Sequence, residues 1–189
     1  MRWVRAWLER LIDRLLRLFG LGRRAVPLEP VSLRAIAVVR NNVREPRMDD
    51  WEQVRSDLIF RDDLLDALDG IEGYSHVIVV FHCHLVPEEE RTTGRIHPRG
   101  DERLPEQGVL ATRSQRRPNS LGVSVVPLLR RRRNILRVRG LDAIDGTPVL
   151  DIKPYIPYYD SVSNARVPDW VGQPPADSGA GESSQPAPR

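Results

Sequence analysis

The sequence predicts a mainly β domain, a small barrel or curled sheet with short helices, preceded by an amphipathic helix. Three observations carry this. Short apolar segments recur between close turn signals: LGVSVVPLL (121–129), NILRVRGL (134–141) and PVLDI (148–152). The segment SHVIVVFHCHL (75–85) is almost wholly apolar, as a strand buried on both faces would be. Residues 1–22 instead repeat Trp3, Trp7, Leu11, Leu15 and Phe19 every four positions, which is helical spacing.

Taken in order, Val4, Leu8, Ile12 and Leu16 widen the apolar stripe of that first helix. Arg2, Arg10, Arg14 and Arg17 populate its other face, and Gly20 and Gly22 stop it. Charges interrupt every apolar run, so a signal peptide is not expected. The helix suits a membrane interface, or packing on the domain or on a second copy. Residues 23–30 read as a linker, which sets 1–30 apart from a domain over 31–171. Within the domain, 31–40 has strand character, 58–60 forms a short strand and 61–70 a short helix ending at Gly70. Residues 86–107 are expected to form a long loop, and GVLAT (108–112) a strand. Residues 172–189 lack large apolar side chains and are expected to be disordered.

The composition excludes several classes. The chain has 189 residues and one cysteine, so no intramolecular disulfide and no four-cysteine zinc site can form. No apolar run reaches the length of a membrane-spanning helix. Neither GxGxxG nor GxxxxGK[ST] occurs, nor a serine nucleophile elbow. The net charge of +3 conceals a strong segregation. Residues 45–90 carry a net −10, and residues 91–139 a net +10. The basic stretch suits either ion pairing across the fold or a phosphate-binding surface. Of 29 basic residues only Lys153 is a lysine, the one position where a compact ammonium is kept in place of a guanidinium.

Three constellations carry possible chemistry. Strand alternation places His76, His82 and His84 on one face, either as packed histidines or as the start of a metal site for a hydrolase. The turn at 111–122 crowds Arg113, Arg116 and Arg117 around Pro118, Asn119 and Gly122. It is either a solvent loop or a cradle for carboxylates and phosphates. In 141–160, a turn at Asp145, Gly146 and Thr147 leads into a strand where Asp151 and Lys153 share a face, with Tyr155 beyond Pro154. That trio is either an ion pair closing a strand or a proton-transfer group.

The blocks GVLATRSQRRPNSLGVSVV (108–126) and GLDAIDGTPVLDIKPYIPYYD (140–160) resemble the two signatures of the TrmO family, also called TsaA, YaeB or VirR-like. The family pattern runs close to G-V-F-A-T-R-S-P-x-R-P-N-P-I-G-x-S and D-G-T-P-V-L-D-I-K-P-Y-x-P. SHVIVVFHCHL and GRIHPRGDERLPEQ resemble further segments of it, so the likeness covers roughly 33–170. Gln115 and Ser120 stand where the family often has proline. Pro46-Arg47-Met48 stands near the family's P-R-Q, in a stretch that otherwise fits poorly.

The resemblance implies a small non-Rossmann β-barrel methyltransferase, using S-adenosyl-L-methionine to methylate N6 of threonylcarbamoyladenosine at tRNA position 37. It implies a homodimer with the cofactor near the subunit interface, in the cytoplasm. Residues 1–22 would add a peripheral membrane contact. It further implies cofactor contacts from His84, Leu85, Arg113, Val123, Asp145, Gly146 and Thr147, and no metal. Asp151, Lys153 and Tyr155 are then the candidates for orienting the acceptor and handling its proton, with Lys153 acting as a cation. Arg95, Arg99, Arg103, Arg116, Arg117, Arg130, Arg131, Arg132 and Arg133 become candidate phosphate contacts. The remaining alternatives are a non-catalytic or retargeted barrel and the histidine-based hydrolase.

Overall fold

The computed structural model describes residues 28–47 and 50–172, together with positions 7, 8, 11, 12, 14–16 and 18. Two units divide the chain, Met1–Leu33 and Arg34–Arg189. In the first unit the described positions from 7 to 18 have helical backbone; the rest of the expected helix, much of the linker and the tail from 173 lie outside the described residues. Among the described residues no helix is long and apolar enough to cross a membrane.

The second unit contains eight strands: β1 (Ala37–Arg40), β2 (Arg55–Phe60), β3 (His76–His82), β4 (Arg95–Ile96), β5 (Gln107–Gly108), β6 (Leu121–Arg132), β7 (Ile135–Arg139) and β8 (Pro148–Pro154). Six of them close an antiparallel barrel in the order β1-β2-β7-β6-β3-β8, and β4 and β5 form a separate two-stranded sheet. Closure leaves no free sheet edge in the barrel. Alternation along each strand fills its interior. Val39, Leu58, Val77, Val79, Leu136, Val138 and Val149 are fully buried, and each buried side chain of this size contributes about 2 kcal/mol. Gly122 faces Phe81 across β6 and β3. A Cβ there would lie 2.3 Å from the phenyl ring, so the ring covers bare backbone.

Several elements differ from expectation. β3 is buried on one face only: Val77, Val79 and Phe81 point inward, while His76, Ile78, Val80 and His82 are half-buried on the outer face. GVLAT is not a strand. Only Gly108 pairs; Val109–Ala111 form a 3-10 turn, because the N–H and hydroxyl of Thr112 both bond back to the carbonyl of Val109. The segment 61–70 forms two 3-10 turns, Asp62–Leu64 and Asp66–Leu68, rather than one helix. The guanidinium of Arg131 takes up the carbonyls of Leu65 and Leu68, at 3.1 Å each. The expected loop 86–107 contains β4, two 3-10 turns and the start of β5.

A register shift between β3 and β8 leaves Leu150 as the extra residue. Val149 faces the core before it and Ile152 packs on the core after it, so Asp151 and Lys153 turn outward.

Candidate active site at the barrel mouth

Five loops meet at the end of the barrel where β3 stops and β6 and β8 begin. The loop after β1 is tied down first. Asn41 donates from its side chain to Ser56 Oγ (2.9 Å) and to the carbonyl of Ala143 (2.8 Å). Its backbone N–H donates to Asp145 Oδ1 at 3.1 Å, and Arg44 pairs with Oδ2 of the same carboxylate. Val43, Val54 and Ile144 pack beneath it against Trp51. The loop 112–120 folds on itself. Arg117 reaches the carbonyl of Thr112 (3.1 Å), Ser114 N–H bonds Thr112 Oγ1 (3.2 Å), and Ser120 Oγ donates to the carbonyl of Arg117 (3.2 Å).

Between these loops lies a cleft of about 1560 Å³. Of the cofactor candidates, His84, Leu85, Arg113 and Thr147 line it. Val123 is joined to it through its carbonyl, which accepts a 2.5 Å hydrogen bond from Arg113. Asp145 and Gly146 stand behind the wall: Asp145 is occupied by Arg44 and Asn41, and Gly146 has a φ of +84° and carries its N–H to the carbonyl of Val39. Pro46 and Arg47 line the cleft too, which puts that segment at the site despite its poor fit to the family pattern.

Asp151 and Lys153 come together, at 2.6 Å, but on the outer wall of the barrel, away from this cleft. The hydrogen bond from Lys153 to Asp151, and then their Coulomb attraction, raise the ammonium's pKa, so it is a fixed cation at neutral pH. Tyr155 sits near His76, with ring centroids 6.3 Å apart.

Among the arginines, Arg99 and Arg116 line the cleft, and Arg116 pairs with Glu90 at 3.1 Å. Arg95 pairs with Glu106, and Arg103 with Asp101. Arg131 is 15% exposed and held by Asp69 and Glu72. Arg130 and Arg132 lie at the far end of β6 and Arg133 in the turn beyond it, roughly 30 Å along the strand from the cleft at the usual rise per residue.

The three histidines do not converge as the strand pattern had indicated. β3 ends at His82, so His84 leaves the sheet and enters the cleft, while His76 bonds Ser75 Oγ at 2.9 Å. Among the described residues no group of three or more His, Cys, Asp or Glu is placed to hold a metal.

Residues that spacing alone did not single out also line the cleft, among them Trp51, Cys83, Leu110, Asp142 and Trp170. Leu110 and Leu85 are 73% and 54% exposed, apolar walls left largely uncovered by the described residues. Burial, with the nearby Asp142 carboxylate, pushes the Cys83 thiol up to about 11, so it is neutral and not a nucleophile at neutral pH. His84 Nδ1 is buried without a hydrogen-bond partner among the described residues.

A closed antiparallel barrel with a large mixed cleft at one mouth, walled by loops and ringed by guanidinium groups, is a ligand-binding barrel and not a doubly wound nucleotide fold. The chain belongs to the family described as the tRNA-methyltransferase O N-terminal domain, whose model matches residues 39–161. It is 38% identical over 135 residues to an S-adenosyl-L-methionine-binding protein of Archaeoglobus fulgidus, covering 69% of this chain and 94% of that one. It is 43% identical over 107 residues to the tRNA (adenine(37)-N6)-methyltransferase of Escherichia coli, covering 53% of this chain and 44% of the enzyme. Its barrel superposes on the crystal structure of TrmO from Pseudomonas aeruginosa with a TM-score of 0.62 at 34% identity, over 80% of this chain and 66% of that one. Against several relatives, then, the chain spans only about half their length or less, as with a Pyrococcus abyssi protein of which it covers 54%.

Proposed function

We propose that this chain is an S-adenosyl-L-methionine-dependent methyltransferase acting on N6 of adenosine 37 of tRNA, with the threonylcarbamoyl-modified base as its acceptor. The observation that carries this is the convergence of both family signatures on one cleft, where Arg113, His84 and Thr147 face a shared space. The donor set suits the cofactor. Leu85 and Leu110 offer apolar walls, His84 lines the cleft with them, and Arg47 and Arg113 offer cationic forks.

When bound there, S-adenosyl-L-methionine supplies a sulfonium methyl group for a single displacement. The protein's contribution is placement. Arg113 ties the loop 112–120 to β6 through the Val123 carbonyl, so this wall of the cleft is held to the barrel. Asp145 does the same for the loop that carries Arg47. The acceptor nitrogen must give up a proton as its new N–C bond forms, and the carboxylates on the cleft wall are Glu90, Glu102 and Asp142. Asp142 already accepts a hydrogen bond from the Ser124 hydroxyl.

The proposed assembly is a homodimer. Ile78 and Val80 on β3 lie beside Val125 and Val123 on β6, and the two β6 residues are 50% and 44% exposed. The Asp151–Lys153 pair flanks the same strip from β8. An apolar strip rimmed by charge, on the wall that also carries Val123, fits a subunit seam. In such a dimer Asp151, Lys153 and Tyr155 orient the acceptor from the seam, with the Lys153 ammonium suited to the threonyl carboxylate. Arg99 and Arg116 at the cleft, and Arg130, Arg132 and Arg133 on the far hairpin, are the proposed phosphate contacts, whose binding should weaken steeply with salt. We place the enzyme in the cytoplasm, with residues 1–22 as a peripheral membrane contact. Binding of the full chain to anionic vesicles, lost on deleting 1–22, tests that part.

The reaction is tested by methyl transfer from labelled S-adenosyl-L-methionine to tRNA from normal cells and from cells unable to make threonylcarbamoyladenosine. Label in the first alone is expected. Label in neither, with cofactor binding intact, would mean a barrel retargeted to another acceptor.

A further inference from the structure

The family model ends at residue 161, yet the cleft does not. Trp170, Val171 and Gly172 form part of its wall. The chain reaches it by an exposed path: every residue from Ser161 to Asp169 is exposed, including Val162 (74%) and Val167 (64%). Trp170 is the first side chain after this stretch to be partly covered. It is presented by a 3-10 turn, Asp169–Gly172, closed by the N–H of Val171 on the carbonyl of Pro168 at 3.0 Å.

An indole at that position has a specific use. The cleft it faces has exposed apolar walls at Leu85 and Leu110 and guanidinium groups at Arg47, Arg99 and Arg116. A flat π face beside cations suits a nucleobase attached to a charged backbone or to a charged side chain. Trp51, the other tryptophan of the cleft, is already engaged. Its ring lies 5.0 Å from the Arg47 guanidinium carbon and its N–H donates to the Arg47 carbonyl.

We propose that Trp170 is a ligand-contacting residue of this cleft that stacks on a purine ring, supplied from beyond the family domain. This rests on the methyltransferase reading and adds a residue to it. The purine is either the adenine of the methyl donor or a base of the tRNA anticodon loop.

The test uses the full chain and its Trp170→Ala and Trp170→Phe variants. One arm measures binding of S-adenosylhomocysteine by calorimetry, the other binding of an anticodon stem-loop RNA by anisotropy. Trp170→Ala is expected to weaken one arm about five- to a hundredfold, the range for losing one base–aromatic stack, and Trp170→Phe to stay within about threefold of wild type. A loss in the cofactor arm assigns the ring to the donor's adenine, and a loss in the RNA arm assigns it to the tRNA. Wild-type binding with both arms unchanged in Trp170→Ala overturns the proposal alone, as does an equal loss in the Phe variant. A wild-type protein that binds neither probe overturns the methyltransferase reading and this one with it.

Discussion

Asp145 holds Arg44, and through it the wall of the cleft. The carboxylate takes the Arg44 guanidinium on Oδ2 and the backbone N–H of Asn41 on Oδ1, while its own side chain is only 7% exposed. A signature residue that points away from the cleft thus positions one that lines it, Arg47, three residues further on. Asp145→Ala leaves that N–H unpaired and frees the loop. The expected loss is about 2 kcal/mol of stability, the scale of a charge-assisted hydrogen bond, with cofactor affinity falling together with it. Urea unfolding and calorimetry on the same variant check both. Unchanged affinity would show that the loop holds its shape without the anchor.

Gly122 should tolerate no side chain. The Cβ of Gly122→Ala would meet the Phe81 ring at 2.3 Å, so a drop of about 1–3 kcal/mol is expected from overpacking. Thermal melts of Gly122→Ala, alone and combined with Phe81→Leu, test the cause. The second substitution should recover part of the loss.

Asp57 and Arg137 pair side by side across β2 and β7 at 2.5–2.6 Å. The Arg137 hydrogen bonds, and then its charge, lower the Asp57 carboxyl from its ordinary 3.8. A carboxylate whose folded pKa is depressed stabilises fully above its unfolded pKa and loses that contribution as pH falls through the folded value. The stability gap between wild type and Asp57→Asn should therefore be constant near neutrality and shrink below about pH 4. Chemical unfolding across that range measures it, and a gap that is flat to the acid end would refute the linkage.

Cys83 should resist alkylation. With its thiol pushed up to about 11, iodoacetamide at neutral pH should label it slowly, with the rate climbing steeply towards that value. Because it lines the cleft, S-adenosylhomocysteine should protect it. Fast neutral labelling would mean that the cleft is wetter than its geometry indicates.

The exposed strip on β3 and β6 predicts the oligomeric state. Val125→Arg places a charge in its middle, and light scattering is expected to show the mass of the proposed dimer for the wild type and of a monomer for the variant. Retention of the wild-type mass would move the seam elsewhere.

Much of the barrel was legible in the residues. The strands β3, β6, β7 and β8 fall on the apolar runs that predict them, although β6 continues through Arg132 into the arginine run and the hairpin closes at Arg133, whose φ is +52°. The segment 61–70 forms two 3-10 turns where its leucine spacing predicts one helix. Arg131, from β6, donates to the carbonyls of Leu65 and Leu68 and holds the two short turns against the barrel.

The site divided along the same line. The family resemblance marked His84, Leu85, Arg113 and Thr147 as cofactor contacts, and the cleft contains these four, while Val123, Asp145 and Gly146 of the same set stand outside its lining. The pairing of Asp151 with Lys153 also follows from strand alternation, since residues two apart share a face. Which face they share did not follow. The extra residue at Leu150 sets that, turning the pair out of the barrel and towards the apolar strip. Nor could spacing bring Pro46, Asp142 and Trp170 to one cleft from three distant stretches. The sequence by itself determined the barrel class, the family and the side chains available. Tertiary structure alone decided which of them meet, because register, bulges and loop anchoring depend on contacts between residues far apart in the chain.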